Sequence, residues 1–218
     1  MKQSVCIVVP AYNEQDGLQL FYERVRSVID NIEGCAFEIL FVNDGSYDGT
    51  LEIMRRLQVN DARVSYVDLS RNFGKEAAML AGLDHAEADA VIIMDADLQN
   101  PPELIPEFVK YWQQGYKDVY GKRKSRADES FLKRLGTKVY YFLLTRLAHV
   151  PVQVNVGDFR LLDSKCVAAL KQMRETQRYT KGMFSWIGYS KKEVLFEVAP
   201  RAAGTTKWNY AKLFNLAI

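Results

Sequence analysis

Asp95 and Asp97 follow the apolar run of residues 91–94 and are separated by a single residue. A short apolar run bounded by polar residues predicts a buried strand, and residues two apart in an extended chain point the same way. The two carboxylates therefore converge, and their mutual repulsion favours a divalent cation between them. With an oxygen from Gln99, they form a set of ligands that suits Mg²⁺ or Mn²⁺ and a phosphate-bearing molecule.

A second interpretation assigns both aspartates to a turn. Asp95 would end the strand and Asp97 would stabilise a turn before the following prolines, because Asp and Pro are common in turns. This stretch by itself leaves both interpretations open. The other predicted strands are informative, since polar residues follow each of them too. These residues are Tyr12, Asn13 and Glu14; Asp44 and Gly45; and Arg71, Gly74 and Lys75.

Apolar runs alternate with helical patterns over residues 5–122. The predicted strands cover residues 5–9, 37–42, 64–69, 91–94 and 118–122, and the predicted helices cover 15–32, 48–57, 75–86 and 102–114. Asn13 or Asp16 is expected to cap the first helix, and Asp48 or Thr50 the second. This alternation predicts an α/β fold with a mostly parallel sheet and helices on both faces. Ligands bind at the carboxyl ends of such strands, so the polar residues share one edge and favour the metal interpretation.

The composition is that of an ordinary globular protein. Of 218 residues, 48% are hydrophobic and 26% are charged, which fits one domain or a tight pair. A net charge of +2 gives no basis for binding nucleic acid. Two histidines argue against His-based zinc or triad chemistry, and three scattered cysteines indicate reduced thiols in a cytosolic environment. We find no signal-peptide core and no run of about 20 apolar residues.

The pattern changes after Gly121. Residues 122–126 form a basic run, and residues 131–149 form a long apolar helix with scattered Lys and Arg. That helix either packs in the core or lies against anionic lipid, and the aromatic residues of a last helix at 208–218 also suit a membrane surface. A tight turn entering a short strand is predicted at 157–162, a helix at 165–173 and an edge strand at 192–198.

Five segments resemble an ordered set of family motifs. They are residues 10–14 (PAYNE), 42–50 (VNDGSYDGT), 71–75 (RNFGK), 95–103 (DADLQNPPE) and 157–161 (GDFRL). The set is similar to that of family 2 glycosyltransferases with the GT-A fold. More narrowly, it resembles the polyprenyl-phosphate branch, with its bactoprenol glucosyltransferases and dolichol-phosphate mannosyltransferases. The resemblance implies a catalytic domain over residues 1–199, a juxtamembrane segment over 200–218, and membrane helices after Ile218. It places the enzyme at the inner (plasma) membrane, with its catalytic domain in the cytoplasm.

The resemblance also implies roles for individual residues. Asp95, Asp97 and Gln99 would hold Mg²⁺ or Mn²⁺ on the diphosphate of a nucleotide-sugar donor. The nucleotide-sugar-binding residues would be Pro10, Tyr12, Glu14, Asp44, Lys75, Asp95, Arg201 and Lys207. The catalytic residues would be Asp97, Asp158, Arg123 and Arg134. Tyr12 and Glu14 have an alternative role in packing at the helix entry, and the sequence does not decide between Lys133 and Arg134.

The acceptor implied by the resemblance is a polyprenyl phosphate, either undecaprenyl or dolichyl. Its phosphate is already anionic near neutral pH, since its second pKa is about 6, so its attack needs positive charge more than a general base. Arg123, Arg134 and Arg201 suit that task, although about half of the basic residues are expected to be solvated surface. Asp158 either orients the acceptor or sugar, or pairs with Arg160.

The leading hypothesis is inverting, metal-dependent transfer of a hexose, with UDP-glucose as the favoured donor, to a polyprenyl phosphate. GDP-mannose and UDP-N-acetylhexosamine are alternative donors. Alternatives of other kinds are a soluble family 2 transferase acting on a saccharide, and a nucleotide-sugar-binding module without turnover. A dehydrogenase is not supported, because no Gly-x-Gly-x-x-Gly follows the first strand. The oligomeric state stays open and admits a homo-oligomer.

Overall fold

The computed structural model describes residues 2–124, 156–173 and 180–197. The strands in these ranges are β1 (Gln3–Ala11), β2 (Cys35–Asn43), β3 (Val64–Asp68), β4 (Ala90–Ile93), β5 (Asp118–Arg123), β6 (Val156–Asp163) and β7 (Lys191–Phe196). The helices are α1 (Leu18–Ile29), α2 (Thr50–Asn60), α3 (Lys75–His85), a 3-10 turn (Pro102–Leu104), α4 (Ile105–Gln113), α5 (Ser164–Gln172) and α6 (Thr180–Trp186). The predicted alternation of strands and helices is confirmed.

The strands form one sheet in the order β3-β2-β1-β4-β6-β5-β7. Parallel pairs join β1 to β2 and β4, β2 to β3, and β5 to β7. Of the strands described, only β6 runs antiparallel to its neighbours, β4 and β5. The predicted mostly parallel α/β sheet is therefore confirmed. The short strand expected near residue 160 is an eight-residue strand in the interior of the sheet.

β5 and β6 are neighbours in the sheet although a long stretch of chain separates them. Lys122 near the end of β5 pairs with Val156 at the start of β6. The end of β5 and the start of β6 therefore lie at the same edge of the sheet. This is the edge at which the parallel strands β1, β2 and β4 have their carboxyl ends.

The interior strand β1 is apolar and buried from Val5 to Ala11, since helices cover both faces of the sheet. Val5, Ile7 and Val9 belong to a core shared with α1, α2 and α4. Cys6 and Val8 belong to a second core shared with α3, α5 and α6. Side chains alternate between the two faces of a strand, so a strand buried on both sides needs a continuous apolar run.

The start of α1 differs from the prediction. The helix begins at Leu18, and the preceding Gly17 provides no side-chain cap. Asn13 is not a cap, because its side chain accepts the N–H of Tyr47 from the loop after β2. Asp16 is exposed to solvent. The predicted capping role was wrong because the residues before α1 are held by a neighbouring loop, which the local sequence does not reveal.

Arg160 forms a buried ion pair beneath α6. This residue of β6 is 1% exposed, and its Nη1 lies 3.1 Å from Asp118 Oδ2 on β5. Its guanidinium also lies over the ring of Phe184, 3.8 Å from the centroid. A buried charge needs a partner of opposite sign. Asp118 provides it, and the charge of Asp158 also acts on Arg160, although the ion-pair contact of Asp158 is with Lys75.

The three cysteines, Cys6, Cys35 and Cys166, are free and buried. Burial raises the pKa of Cys6 and of Cys166 to about 12, so both thiols are protonated at neutral pH. The prediction of unpaired thiols is confirmed.

Several predicted features lie outside the described residues. They are the apolar helix at 131–149, the last helix at 208–218, and the boundary between residues 199 and 200. In the ranges that are described, no helix combines the length and apolar character needed to cross a membrane.

Candidate active site

The loops that follow β1 and β2 hold each other in place. The Asn13 N–H donates to Ser46 Oγ at 2.9 Å, and the Tyr47 N–H donates to Asn13 Oδ1 at 3.0 Å. The Glu14 N–H donates to Thr50 Oγ1 at 2.8 Å. Asn13 has a φ of +53°, a left-handed conformation that Asn adopts more readily than most residues. The two loops therefore form one unit at the carboxyl edge of the sheet.

Three residues predicted to line the base and ribose pocket lie on or beside this unit. Tyr12 contacts Tyr47 edge to face, with ring centroids 6.0 Å apart. Glu14 is half-buried between the loops, and Pro10 is a buried residue of β1 next to its end. The structure brings Pro10, Tyr12 and Glu14 to the same edge, and their contact with a nucleotide stays a prediction.

Asp44 connects the end of β2 to the start of α3. Its buried carboxylate accepts the N–H of Phe73 at 2.7 Å and the N–H of Gly74 at 3.0 Å. The neighbouring Gly45 has a φ of +64°, and a Cβ on it would lie 2.3 Å from the carbonyl carbon of Arg71. Only glycine satisfies both constraints. The loops after β2 and β3 are thus fixed against each other, while the predicted contact of Asp44 with base or ribose stays a prediction.

Lys75 is the first residue of α3 and bridges two carboxylates. Its Nζ lies 2.7 Å from Asp95 Oδ1 and 2.7 Å from Asp158 Oδ2. Burial acts to lower the pKa of Lys75, but the two carboxylates outweigh burial and raise the pKa above its ordinary value. The ammonium group is therefore charged at neutral pH. The sequence placed Lys75 near the donor but did not predict that it joins these two aspartates.

The direction of β6 explains how Asp158 reaches Asp95. Ile93 on β4 pairs with Arg160 on β6 in antiparallel register. Asp95 follows the end of β4 by two residues and Asp158 precedes Arg160 by two, so the antiparallel direction brings both carboxylates to the same edge of the sheet. Two like charges held close together repel each other. The Lys75 ammonium contacts both carboxylates and offsets this repulsion.

Asp97 takes part in a turn and also lies at the site. Its Oδ1 accepts the N–H of Gln99 at 3.1 Å, as the turn interpretation predicts. Leu98 between them is buried and has a φ of +59°, an unusual conformation for a side chain of this size. Strained backbone of this kind is concentrated at functional sites. The two interpretations offered by the sequence are therefore compatible, because the turn fixes the position of Asp97.

The carboxylates suit a divalent cation bound with a phosphate ligand. Residues 2–124, 156–173 and 180–197 contain no group of three or more His, Cys, Asp or Glu placed to hold a metal ion. Mg²⁺ often needs only one or two carboxylates, since water and substrate phosphates complete its shell. A cationic group, the ammonium of Lys75, already lies at Asp95. Asp95 and Asp97 thus fit Mg²⁺ or Mn²⁺ on a diphosphate, with Gln99 next to them.

The predicted basic residues are only partly accounted for. Arg123 is the last residue of β5, and its side chain is exposed at the same edge of the sheet. Arg134, Arg201 and Lys207 lie outside the described residues, as does Lys133. Of the predicted catalytic residues, the structure therefore places Asp97, Asp158 and Arg123 at the edge.

The chain is similar to known glycosyltransferases in sequence and in fold. An uncharacterised glycosyltransferase of Synechocystis is 45% identical over the whole chain, which spans 68% of that protein. A prophage bactoprenol glucosyl transferase homolog of Escherichia coli is 41% identical over 98% of the chain, which spans 70% of that protein. Glucosyl-3-phosphoglycerate synthase of Mycobacterium tuberculosis, crystallised with Mn²⁺ and UDP, has a TM-score of 0.62 at 15% identity. That match covers 99% of this chain and 76% of the synthase, and it supports the GT-A fold.

The family model described as glycosyl transferase family 2 matches residues 6–170. This range includes the loops after β1, β2 and β3, the Asp95–Asp97 turn and Asp158. The protein is a glycosyltransferase, and the chain belongs to glycosyl transferase family 2.

Proposed function

We propose that this protein transfers a hexose from a nucleotide-sugar, UDP-glucose in the first instance, to a polyprenyl phosphate at the cytoplasmic face of the inner membrane. The contact of Lys75 with both Asp95 and Asp158 carries the proposal, because it joins the donor carboxylate to the one assigned to the acceptor. The relative named as a bactoprenol glucosyl transferase homolog supports a polyprenyl acceptor. The synthase crystallised with Mn²⁺ and UDP supports a metal-bound nucleotide donor.

The donor side is built from the loops after β1, β2 and β4. Tyr12 and Glu14 are assigned to the base and ribose, and Asp44 holds the start of α3 in place. Asp95 and Asp97 would hold Mg²⁺ or Mn²⁺ on the diphosphate. When bound, the metal neutralises charge on the departing nucleoside diphosphate.

The acceptor side completes the reaction. An oxygen of the lipid phosphate attacks C1 of the sugar, the bond from C1 to the diphosphate oxygen breaks, and the configuration at C1 inverts. No proton has to be removed, since the phosphate is already ionised near neutral pH, its second pKa being about 6. Asp158 would orient the acceptor or the sugar. Arg123, with Arg134, Arg201 and Lys207, would balance the charge of two phosphate-bearing molecules held side by side.

The same proposal covers the organisation of the chain. Residues 1–199 form the catalytic domain, and residues 200–218 form a segment at the membrane surface. The apolar residues with interspersed Lys and Arg at 131–146 support a membrane-facing role, since such a composition suits anionic lipid surfaces.

A lipid-transfer assay tests the reaction. The purified protein is incubated with undecaprenyl phosphate in detergent, Mg²⁺ or Mn²⁺, and radiolabelled UDP-glucose, GDP-mannose or UDP-N-acetylglucosamine. Extraction into organic solvent separates sugar-lipid from free nucleotide-sugar. We expect labelled lipid from one donor and none after chelation of the metal. Absence of labelled lipid with every donor would refute the proposal, and transfer to a soluble saccharide instead would identify the alternative acceptor.

Two variants make the assay specific for the site. Asp97→Asn keeps the shape of the side chain but removes its charge, and we expect the rate to fall at least about 100-fold. Glu33→Gln removes a charge from an exposed position after α1 and should leave the rate unchanged. Equal rates for Asp97→Asn and the unmodified protein would contradict the assignment of Asp97. Donor binding without transfer in the unmodified protein would instead indicate a binding module.

A further inference from the structure

Lys75 is the one basic side chain in ion-pair contact with Asp95 among the residues that the structure describes. The bridge is unequal in its exposure to solvent. The side chain of Asp158 is 11% exposed, that of Asp95 is 27% exposed and that of Lys75 is 44% exposed. A cation arriving from solvent therefore meets the Asp95 end of the bridge first, while the Asp158 end is the more protected contact.

We propose that Lys75 is the resident cation of Asp95 in the free protein and that the divalent cation of the donor displaces it. The inference rests on the proposed metal site at Asp95 and Asp97. The Lys75 Nζ lies 2.7 Å from Asp95 Oδ1, and Mg²⁺ would bind a carboxylate oxygen at about 2.0–2.1 Å. Two cations in contact with the same carboxylate repel each other. A metal ion bound at Asp95 Oδ1 would therefore displace the ammonium from that atom.

Asp158 determines where the displaced ammonium goes. Lys75 keeps its second contact, 2.7 Å from Asp158 Oδ2, when the contact to Asp95 is broken. The charge at the site then stays balanced, with the metal on Asp95 and Asp97 and the ammonium on Asp158. Lys75 is thus a positioning residue that links arrival of the donor to the charge around the acceptor-side carboxylate.

This exchange predicts cooperation between metal and nucleotide. A metal ion alone must break the contact between Lys75 and Asp95 and gains only two carboxylates from the described residues. A metal ion bound together with a nucleoside diphosphate also gains phosphate oxygens, which offset that loss. The free protein should therefore bind Mn²⁺ weakly, and UDP should strengthen the binding of Mn²⁺.

Mn²⁺ binding measured by the electron paramagnetic resonance signal of the free ion tests the proposal without reference to turnover. Lys75→Met removes the competing ammonium and keeps a long side chain. We expect Lys75→Met to bind Mn²⁺ alone on the order of tenfold more tightly than the unmodified protein. The strengthening of Mn²⁺ binding by UDP should shrink by a similar factor. Unchanged or weaker binding of Mn²⁺ to Lys75→Met would overturn the proposal.

Two further variants separate displacement from a general charge effect. Arg71→Met removes a positive charge from the same loop, where the guanidinium lies over the Phe73 ring and has no ion-pair contact with Asp95. We expect it to change Mn²⁺ affinity less than about twofold. Lys75→Arg keeps the charge and should bind Mn²⁺ as weakly as the unmodified protein. A gain in Arg71→Met equal to that in Lys75→Met would overturn the proposal.

Failure of the metal site itself gives a different result. If Mn²⁺ with UDP does not bind the unmodified protein, or binds Asp97→Asn equally well, the proposed metal site is wrong. If the binding of Mn²⁺ depends on Asp97 but not on Lys75, the metal site is supported and the displacement of Lys75 is refuted.

If Lys75→Met does not fold, the displacement of Lys75 can be followed by NMR in the unmodified protein. Lysines are labelled by reductive ¹³C-methylation, and Lys75→Arg identifies the Lys75 signal. Mg²⁺ with UDP should shift that signal, and an unshifted signal would refute the displacement.

Discussion

The carboxylate of Asp44 accepts the backbone N–H of Gly74 at 3.0 Å, which joins the end of β2 to the residue before α3. Asp44 also accepts the N–H of Phe73 at 2.7 Å. The position of Lys75 at the start of α3 therefore depends on a side chain that comes from another strand. A residue predicted from the sequence to contact the nucleotide also has a clear role in holding the site together.

Replacement of Asp44 tests this role. Asp44→Asn keeps one acceptor oxygen but turns an NH₂ group toward the second N–H. We expect the free energy of unfolding to fall by about 1–3 kcal/mol, because a buried N–H loses its partner. Urea denaturation measures it, with the exposed Asp16→Asn as the control, which should change stability by less than about 0.5 kcal/mol. Unchanged stability with loss of UDP binding would instead assign Asp44 to direct contact with the nucleotide.

Gly45 and Gly34 form a matched pair for testing the contact between the loops after β2 and β3. Both have positive φ, +64° and +82°, but only at Gly45 would a Cβ meet backbone, at 2.3 Å from Arg71. Gly34→Ala should lower the free energy of unfolding by about 1–2 kcal/mol through backbone strain alone. Gly45→Ala should cost a further 1–3 kcal/mol or so. Equal urea midpoints for the two variants would show that the loops after β2 and β3 can move apart without loss of stability.

The ion pair of Arg160 and Asp118 should be sensitive to loss of either partner. Arg160→Met or Asp118→Asn leaves a buried charge without its partner, and we expect each to lower the free energy of unfolding by about 3–5 kcal/mol. The double variant should recover part of that loss, since no unpaired charge remains. Urea denaturation of all four proteins measures the coupling.

An exposed ion pair, Arg24 with Glu103, provides a comparison with the buried pair of Arg160 and Asp118. Arg24 donates two hydrogen bonds to Glu103, at 2.8 and 3.0 Å, in an exposed position. Arg24→Met should cost less than about 1 kcal/mol because solvent screens the pair. Similar costs for Arg24→Met and Arg160→Met would mean that burial does not set the strength of these pairs.

Asp61 predicts a pH dependence of stability. Hydrogen bonds from Arg63, followed by the hydroxyl of Tyr22, hold the pKa of the Asp61 carboxyl well below its usual range. A depressed pKa in the folded state stabilises the fold above the unfolded pKa of about 3.9, and this stabilisation is lost as pH falls toward the folded pKa. The difference in urea stability between the unmodified protein and Asp61→Asn should be constant from pH 7 to 5 and shrink below about pH 4. A difference that grows on acidification would contradict this assignment.

The sequence predicted those parts of the fold that depend on local patterns. Continuous apolar runs located β1, β2 and β4, since strands covered on both faces need them. Asp95 and Asp97 were located because polar residues follow several parallel strands at one edge. Asp48 or Thr50 was expected to cap α2, but the capping position is Gly49, which has no side-chain cap; Asp48 lies one residue earlier, and its Oδ1 accepts the Thr50 N–H at 3.0 Å.

Features that depend on distant parts of the chain could not be predicted. Asn13 was expected to cap α1, but its side chain is engaged by Tyr47, from a different loop. Arg160 was offered as a partner of Asp158, but the register of β5 and β6 places Asp118 within its reach. The link from Lys75 to Asp158 depends on the antiparallel direction of β6, which has no signature in residues 156–163.

The adjacency of Lys122 and Val156 has an evolutionary consequence. The stretch between them, which contains Arg134, begins and ends at neighbouring positions of the sheet, so its length has little effect on the entropy of joining β5 to β6. Insertions or deletions in this stretch can therefore accumulate in evolution while β5 stays paired with β6 and the sheet that holds Asp95 and Asp158 keeps its register.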